Sequence, residues 1–309
     1  MMSRRKFIQQ SGQAIAGLTV LPGFSSLAAG INDQQLSISL AQWSLHRSFE
    51  KGTLDPSNFA SIASKDYGIS AVEYVNGFYL KHSTDEAFWQ QMNQKALDHD
   101  VTNLLIMVDS EGDLGNPSDK KRNTAVENHY KWIHAAKLMN CHSIRVNAFG
   151  QGSRKDLRNA LIDGLGKLTA YAAQQNINVL IENHGLHTSD APFIKEIIEQ
   201  VSSPYLGTLP DFGNWCTSVE WGSIQNDPCK SPFDLYDGVQ TFLPYAKGVS
   251  AKSYDFDANG NETRIDYRRM IQLVKQAGFS GHIGIEYEGN QLSEPDGIRA
   301  TYALLKKLI

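Results

Sequence analysis

The sequence predicts a single (β/α)8 TIM barrel. Three observations carry this reading. From about Leu36, short β-rich runs alternate with longer helical patterns eight times, as βα units joined by right-handed crossovers require. The runs are continuously aliphatic, typified by Val179, Leu180 and Ile181, which suits strands buried on both faces of a parallel sheet. Polar residues collect where the runs end, and α/β folds place their chemistry at the carboxyl ends of strands. A doubly wound open sheet is the structural alternative, weakened because no Gly-x-Gly-x-x-Gly follows the first run.

The first strand is read from Leu36 to Gln42 and leads to Trp43. Asp55 then caps a helix with Pro56 in its first turn, and Gly68 ends it. The second strand runs from Ile69 to Tyr74 and carries Glu73; Thr84 opens a helix bearing Phe88, Met92 and Leu97. The third, Val101 to Val108, reaches Asp109, and a helix follows from about Ser118 to Met139. The fourth, Cys141 to Val146, carries Arg145 with Asn147 on the same parity. Its helix, Arg154 to Gln174, shows an apolar stripe of Leu157, Leu161, Leu165 and Leu168. The fifth strand ends in Glu182, Asn183, His184 and Gly185, and a helix begins near Asp190 and Pro192. The sixth spans Gly207 to Asp211, with Pro210 confined to its last pairing; a helix follows over about Pro232 to Thr241. The seventh, Ala246 to Ala251, leads to Lys252, and the next helix covers Asp266 to Ala277. The eighth, Gly281 to Tyr287, carries Glu286 with Glu288 just beyond, before a last helix from Glu294 to Ile309.

A chain of 309 residues, 41% hydrophobic and 20% charged, has room for one such barrel and an ordinary core. A net charge of −4 with dispersed Lys and Arg gives no electrostatic case for nucleic acid. The amino terminus stands apart. Ser3, Arg4, Arg5, Lys6, Phe7 and Ile8 form a twin-arginine export pattern, followed by a weakly apolar stretch and small residues at Ser26, Ala28 and Ala29. Residues 1–30 are therefore assigned to a signal peptide and 31–309 to the barrel, with a periplasmic destination. No cysteine follows the apolar stretch and no later run approaches the ~18 residues needed to span a bilayer, so no stable membrane anchor is expected. Cys141, Cys216 and Cys229 form no disulfide framework; Cys216 and Cys229 could pair in an oxidising compartment, but free, partly buried thiols are the favoured expectation. A homo-oligomer is left open.

The strand ends bring together Glu73, Asp109, Asn147, Glu182, His184, Asp211, Lys252, Glu286 and Glu288. So many ionisable groups serve no packing purpose, because buried carboxylates are costly unless paired or metal-bound. Glu182, Asp211 and Glu286 form the strongest set. Three carboxylates from separate strands suit a divalent ion such as Mn2+ or Mg2+. His184 is either a fourth ligand or a base.

Seven short segments in this order, Ala41–Ser44, Val72–Asn76, Ile144–Asn147, Ile181–Gly185, Pro210–Asn214, Val249–Lys252 and Ile283–Gly289, make the chain resemble the xylose isomerase-like barrel superfamily. The resemblance implies sugar isomerase or epimerase chemistry and a metal set of Glu, Asp, His and Glu on strands five to eight. Glu182, Asp211 and Glu286 match three of these, while Ser250 stands at the histidine position. It implies proton transfer next to a carbonyl, with Glu182 and Glu286 as acid and base, His184 as the rival base and Lys252 stabilising the oxyanion. Arg145, Asn147, Glu73, Glu288 and Asn214 would grip hydroxyls of a small carbohydrate, and Trp43 would stack on its face. Export and the absence of a glycine-rich phosphate cradle favour an unphosphorylated sugar or keto-sugar. With a 3-keto-glycoside the same proton abstraction leads to elimination of the aglycone, as in a lyase or hydratase. A non-catalytic sugar-binding protein and a two-carboxylate glycosidase are the remaining readings.

Overall fold

The computed structural model describes residues 35–225 and 229–309; the expected export segment lies outside them. Eight parallel strands are present: β1 (Leu36–Ala41), β2 (Ala71–Val75), β3 (Thr102–Val108), β4 (Ser143–Val146), β5 (Asn178–Glu182), β6 (Leu206–Leu209), β7 (Val249–Ser253) and β8 (Gly281–Tyr287). They are hydrogen-bonded in the order β6-β5-β4-β3-β2-β1-β8-β7. The two outer strands meet across a seam: Lys247 N–H donates to Thr208 O, Ser250 N–H to Pro210 O and Phe212 N–H to Ser250 O. Pro210 offers no N–H, so it stands just past β6 and takes part only as an acceptor.

The α-helices of the described residues are α1 (His46–Glu50), α2 (Phe59–Tyr67), α3 (Glu86–Leu97), α4 (Asp119–Leu138), α5 (Arg154–Gln174), α6 (Ala191–Val201), α7 (Leu235–Phe242), α8 (Tyr267–Gln276) and α9 (Glu294–Leu308), with short 3-10 turns between elements. Local chemistry sets their ends. Asp190 caps α6 by accepting from Phe193 N–H, with Pro192 in the first turn. Gly68 ends α2 with φ 65°, a left-handed cap that suits a residue without Cβ.

The core has two parts. A large cluster fills the space between the strands' outer faces and the helices, including Trp89, Trp132 and Phe242. A small inner cluster of Ala41, Val75, Leu105, Met107, Leu180 and Leu209 fills the barrel itself. This inner layer supports the polar residues above it.

Several expectations are corrected. Cys216 and Cys229 form a disulfide, their Cα atoms 5.7 Å apart, because the chain after β6 doubles back and pairs Cys216 with Pro232. Cys141 stays free and buried. Helix α3 is capped by Asp85 rather than Thr84. Strand β7 starts at Val249, since Ala246 N–H is spent on a turn to Leu243 O. The helix expected from Pro232 begins at Leu235, where Asp234 supplies the cap to Tyr236 and Asp237 N–H.

Candidate active site

The carboxyl ends of the eight strands and the loops that follow them surround a cavity of about 610 Å3, a size that holds more than one sugar ring. Trp43, Asp109, Arg145, His184, Asn214, Trp221, Lys252, Glu286 and Glu288 contribute to its wall.

Glu182, at the last residue of β5, and Asp211 lie beneath this wall. Their ligand oxygens and that of Glu286 are all within 4.8 Å of one another. Among the described residues this is the one group of His, Cys, Asp and Glu side chains so arranged, and His184 is not in it. Asp211 is fixed at Oδ1 by Gly213 and Asn214 N–H, both at 2.8 Å. Asn183 secures the junction, accepting from Asp211 N–H at 2.8 Å and donating to Asp211 O at 3.0 Å. Asn183 had no assigned role in the sequence; a buried amide flanked by candidate ligands is the signal that could have found it.

Ser250 Oγ lies 2.7 Å from Asp211 Oδ2 and 2.6 Å from Glu286 Oε2. A hydroxyl carries one hydrogen, so it can donate to only one of them. The other contact needs a proton on a carboxyl group or a cation nearby. Burial raises the Asp211 carboxyl to about 7 and pushes that of Glu182 well above its usual range. Glu182 Oε2 has Arg145 Nε at 2.7 Å, yet no aligned hydrogen-bond donor. Five carboxyl groups, Asp109, Glu182, Asp211, Glu286 and Glu288, face two cations, Arg145 and Lys252. Excess negative charge, clustered oxygen donors and an oxygen without a donor together fit a divalent cation.

Lys252 projects from β7 with 1% of its surface exposed. Its Nζ lies 3.2 Å from Glu286 Oε1, 3.3 Å from Glu288 Oε1 and 3.9 Å from Asp211 Oδ2. Burial alone would favour the neutral amine; Asp211, Glu286 and Glu288 outweigh it and hold the ammonium well above the usual lysine value. Burial would likewise raise Asp109, but the Arg145 guanidinium, at 2.5 Å, and the hydrogen bond from Asn147 keep its carboxyl low.

His184 is buried, and that burial, with the Arg145 charge, holds its imidazole well below the usual value and therefore neutral. Its Nδ1 lies 2.7 Å from Asn147 Oδ1, while Asn147 Nδ2 donates to Asp109 Oδ1 at 2.7 Å. That relay assigns the hydrogen to Nδ1 and leaves Nε2 as an acceptor. His184 is thus arranged as a base rather than as a member of the acidic cluster.

Other sequence candidates fall in different layers. Trp43 lines the cavity, stacks on His46 at 4.5 Å and donates Nε1–H to Glu288 at 2.6 Å. Asn214 lines it as well, with Nδ2 3.4 Å from Glu182 and Oδ1 unpaired. Asn147 holds His184 and is not part of the wall. Glu73 does not reach the cavity: it is 1% exposed inside the barrel, accepts from Ser39 Oγ at 2.6 Å, and burial raises it to about 7. Glu73 stands in the middle of β2, opposite Leu105 in mid-β3, and its carboxyl turns into the barrel toward Ser39 of β1.

Trp221 had no part in the sequence reading. It follows Cys216 in the chain after β6 and packs edge-on against His184, ring centroids 4.7 Å apart. Gly185 makes this approach possible. It has φ 88°, and a Cβ there would lie 2.2 Å from Val219 O. Gly185→Ala is therefore expected to destabilise the protein by about 1–3 kcal/mol, read as a lower urea midpoint with an unchanged m-value.

Comparisons with known proteins agree with this architecture. A family model described as xylose isomerase-like TIM barrel matches residues 62–308. The 3'-dehydrocarminate deglycosidase alpha subunit of Microbacterium sp is 21% identical over 249 residues, covering 60% of this chain and 69% of that relative. The C-glycoside deglycosidase alpha subunit of Arthrobacter globiformis is 32% identical over 73 residues, covering 22% of this chain and only 21% of that protein. Among solved structures, D-psicose 3-epimerase with D-tagatose from Clostridium cellulolyticum H10 superposes with a TM-score of 0.67 at 10% identity, covering 89% of this chain and 99% of its own.

Proposed function

Since this chain belongs to the xylose isomerase-like TIM-barrel family, we propose that it is an enzyme that removes the proton next to the carbonyl of an unphosphorylated keto-sugar or keto-glycoside. The observation that carries the reading is that His184, oriented through Nδ1 by Asn147, and the Lys252 ammonium both line the cavity. His184 Nε2 takes the α-proton, and the C–H electron pair becomes the C=C of an enolate. The negative charge moves to the ketone oxygen, where the Lys252 ammonium stabilises it. Arg145, Asn214 and Glu288 hold the hydroxyls.

The enolate has two outcomes. Reprotonation of the same carbon on its other face gives an epimer. Departure of the β-substituent with its bonding electrons, protonated as it leaves, gives an enone and the free aglycone. The 3-keto-D-glucoside 4-epimerase structure from E. coli, TM-score 0.62 at 12% identity over 89% of this chain and 99% of its own, supports the first. The deglycosidase relatives and the size of the cavity support the second. Both start from the step assigned to His184.

Glu182, Asp211 and Glu286 would hold a divalent ion, for which the all-oxygen set favours Mn2+ or Mg2+. When bound, such an ion supplies Lewis-acid polarisation of the substrate oxygens. Removing metal with a chelator and restoring Mn2+ at about 100 times its Kd is expected to raise stability by about 2.7 kcal/mol, seen as a higher Tm. No shift with either ion would remove the metal from the site.

Export to the periplasm also belongs to this reading. The Cys216–Cys229 disulfide supports it, because disulfides persist in oxidising compartments. The reaction is tested by incubating a 3-keto-glucoside with the enzyme in D2O. Deuterium at the α-carbon or released aglycone is expected; a substrate that binds yet shows neither would overturn the assignment.

A further inference from the structure

Trp221 is placed unlike the other tryptophans away from the first strand. Trp89, Trp132 and Trp215 are fully buried, whereas Trp221 is 45% exposed. Its backbone has φ 67°, a left-handed conformation disfavoured for a bulky side chain. Packing does not explain this cost, because nearly half the side chain meets solvent.

The chain nevertheless invests several contacts in holding it there. Leu186 N–H donates to Val219 O at 2.9 Å, and Cys216 N–H to Gly222 O at 3.0 Å. Gly185 and Gly222 touch so closely that a Cβ on Gly222 would lie 2.5 Å from Gly185 Cα. Phe149 and His184 then set the ring from two sides, at 6.0 and 4.7 Å with interplanar angles of 90° and 86°. With these two rings holding it, Trp221 remains 45% exposed and lines the cavity.

The cavity is therefore divided by chemistry. Arg145, Lys252, Glu286 and Glu288 are suited to one sugar ring with its hydroxyls and ketone. The remaining volume includes the exposed indole beside the proposed base. We propose that Trp221 is the stacking platform for an aromatic aglycone attached to that sugar, making aryl glycosides the preferred substrate class. The inference rests on the keto-glycoside reading and specifies the group beyond the sugar.

Binding separates the two ideas, because unoxidised glycosides carry no ketone and cannot turn over by the proposed step. Calorimetric titration of the full protein with phenyl β-D-glucoside, methyl β-D-glucoside and cellobiose is the test. Phenyl glucoside is expected to bind at least about tenfold more tightly than methyl glucoside. Trp221→Ala should reduce that ratio to about twofold or less and leave the methyl glucoside Kd unchanged; Trp221→Phe should retain most of it. Trp221→Gly, which suits the left-handed backbone, should lose the aryl preference without lowering Tm. A wild-type ratio near one, no measurable phenyl glucoside binding, or equal weakening of cellobiose and phenyl glucoside in Trp221→Ala would overturn the proposal. Failure of α-proton exchange, with the aryl preference intact, would instead reject the reaction and leave the platform standing.

Discussion

Lys252→Met is expected to destabilise the protein by about 3–5 kcal/mol at neutral pH, the usual penalty for removing one partner of a buried ion cluster. The ammonium has Asp211, Glu286 and Glu288 within 4 Å. Its loss leaves Arg145 as the cation of the cluster, and Arg145 is already engaged by Asp109 and Glu182. Urea denaturation gives the magnitude. Two further measurements distinguish charge from packing. Adding Glu288→Gln should recover part of the loss, because it removes one of the uncompensated carboxylates. Mn2+ should raise the Tm of the Lys252→Met variant by more than that of the wild type. A variant as stable as the wild type, with no added response to Mn2+, would mean that Lys252 does not balance these acids.

His184→Asn carries the second large expectation: α-proton exchange falls by about 10^2–10^4-fold, the usual contribution of a positioned base. Substrate binding should change little, since the hydroxyl contacts are assigned to Arg145, Asn214 and Glu288. Asn147→Ala should give a smaller loss of the same kind, because Asn147 positions the ring through Nδ1 and touches no reacting atom. If His184→Asn exchanges deuterium at the wild-type rate, Glu286, a carboxylate of the cavity wall, becomes the base to test.

Strand order, helix positions and the acidic cluster were legible because each leaves a local trace. Val179, Leu180 and Ile181 can be read as a buried strand without knowing their neighbours. Glu182, Asp211 and Glu286 each end such a run, and parallel strands in register bring those ends together. Depth within the barrel left no such trace. Glu73 follows the same pattern of apolar run then acid, yet it stands in mid-β2 opposite mid-β3 and its carboxyl turns down toward Ser39. Cys216 and Cys229 could not be paired from spacing, since the pairing depends on how the chain after β6 folds back. Trp221 was invisible for the same reason: a tryptophan in a polar loop acquires meaning only when Gly185 and Gly222 bring it against His184.

The seam between β6 and β7 has a consequence for how the barrel breathes. Elsewhere neighbouring strands share ladders of paired residues, with a register shift between β2 and β3 at Val72 and Glu73, but here Pro210 interrupts the donors and a few isolated bonds close the ring. Asp211 and Ser250 face each other across that gap, joined at 2.7 Å. Anything held by Asp211 and Glu286 together also bridges the least continuous join of the cylinder and acts as a clasp on it. Amide hydrogens at Phe212 and Ser250 should therefore exchange among the fastest of the inner barrel, and should be slowed by ligand out of proportion to the rest.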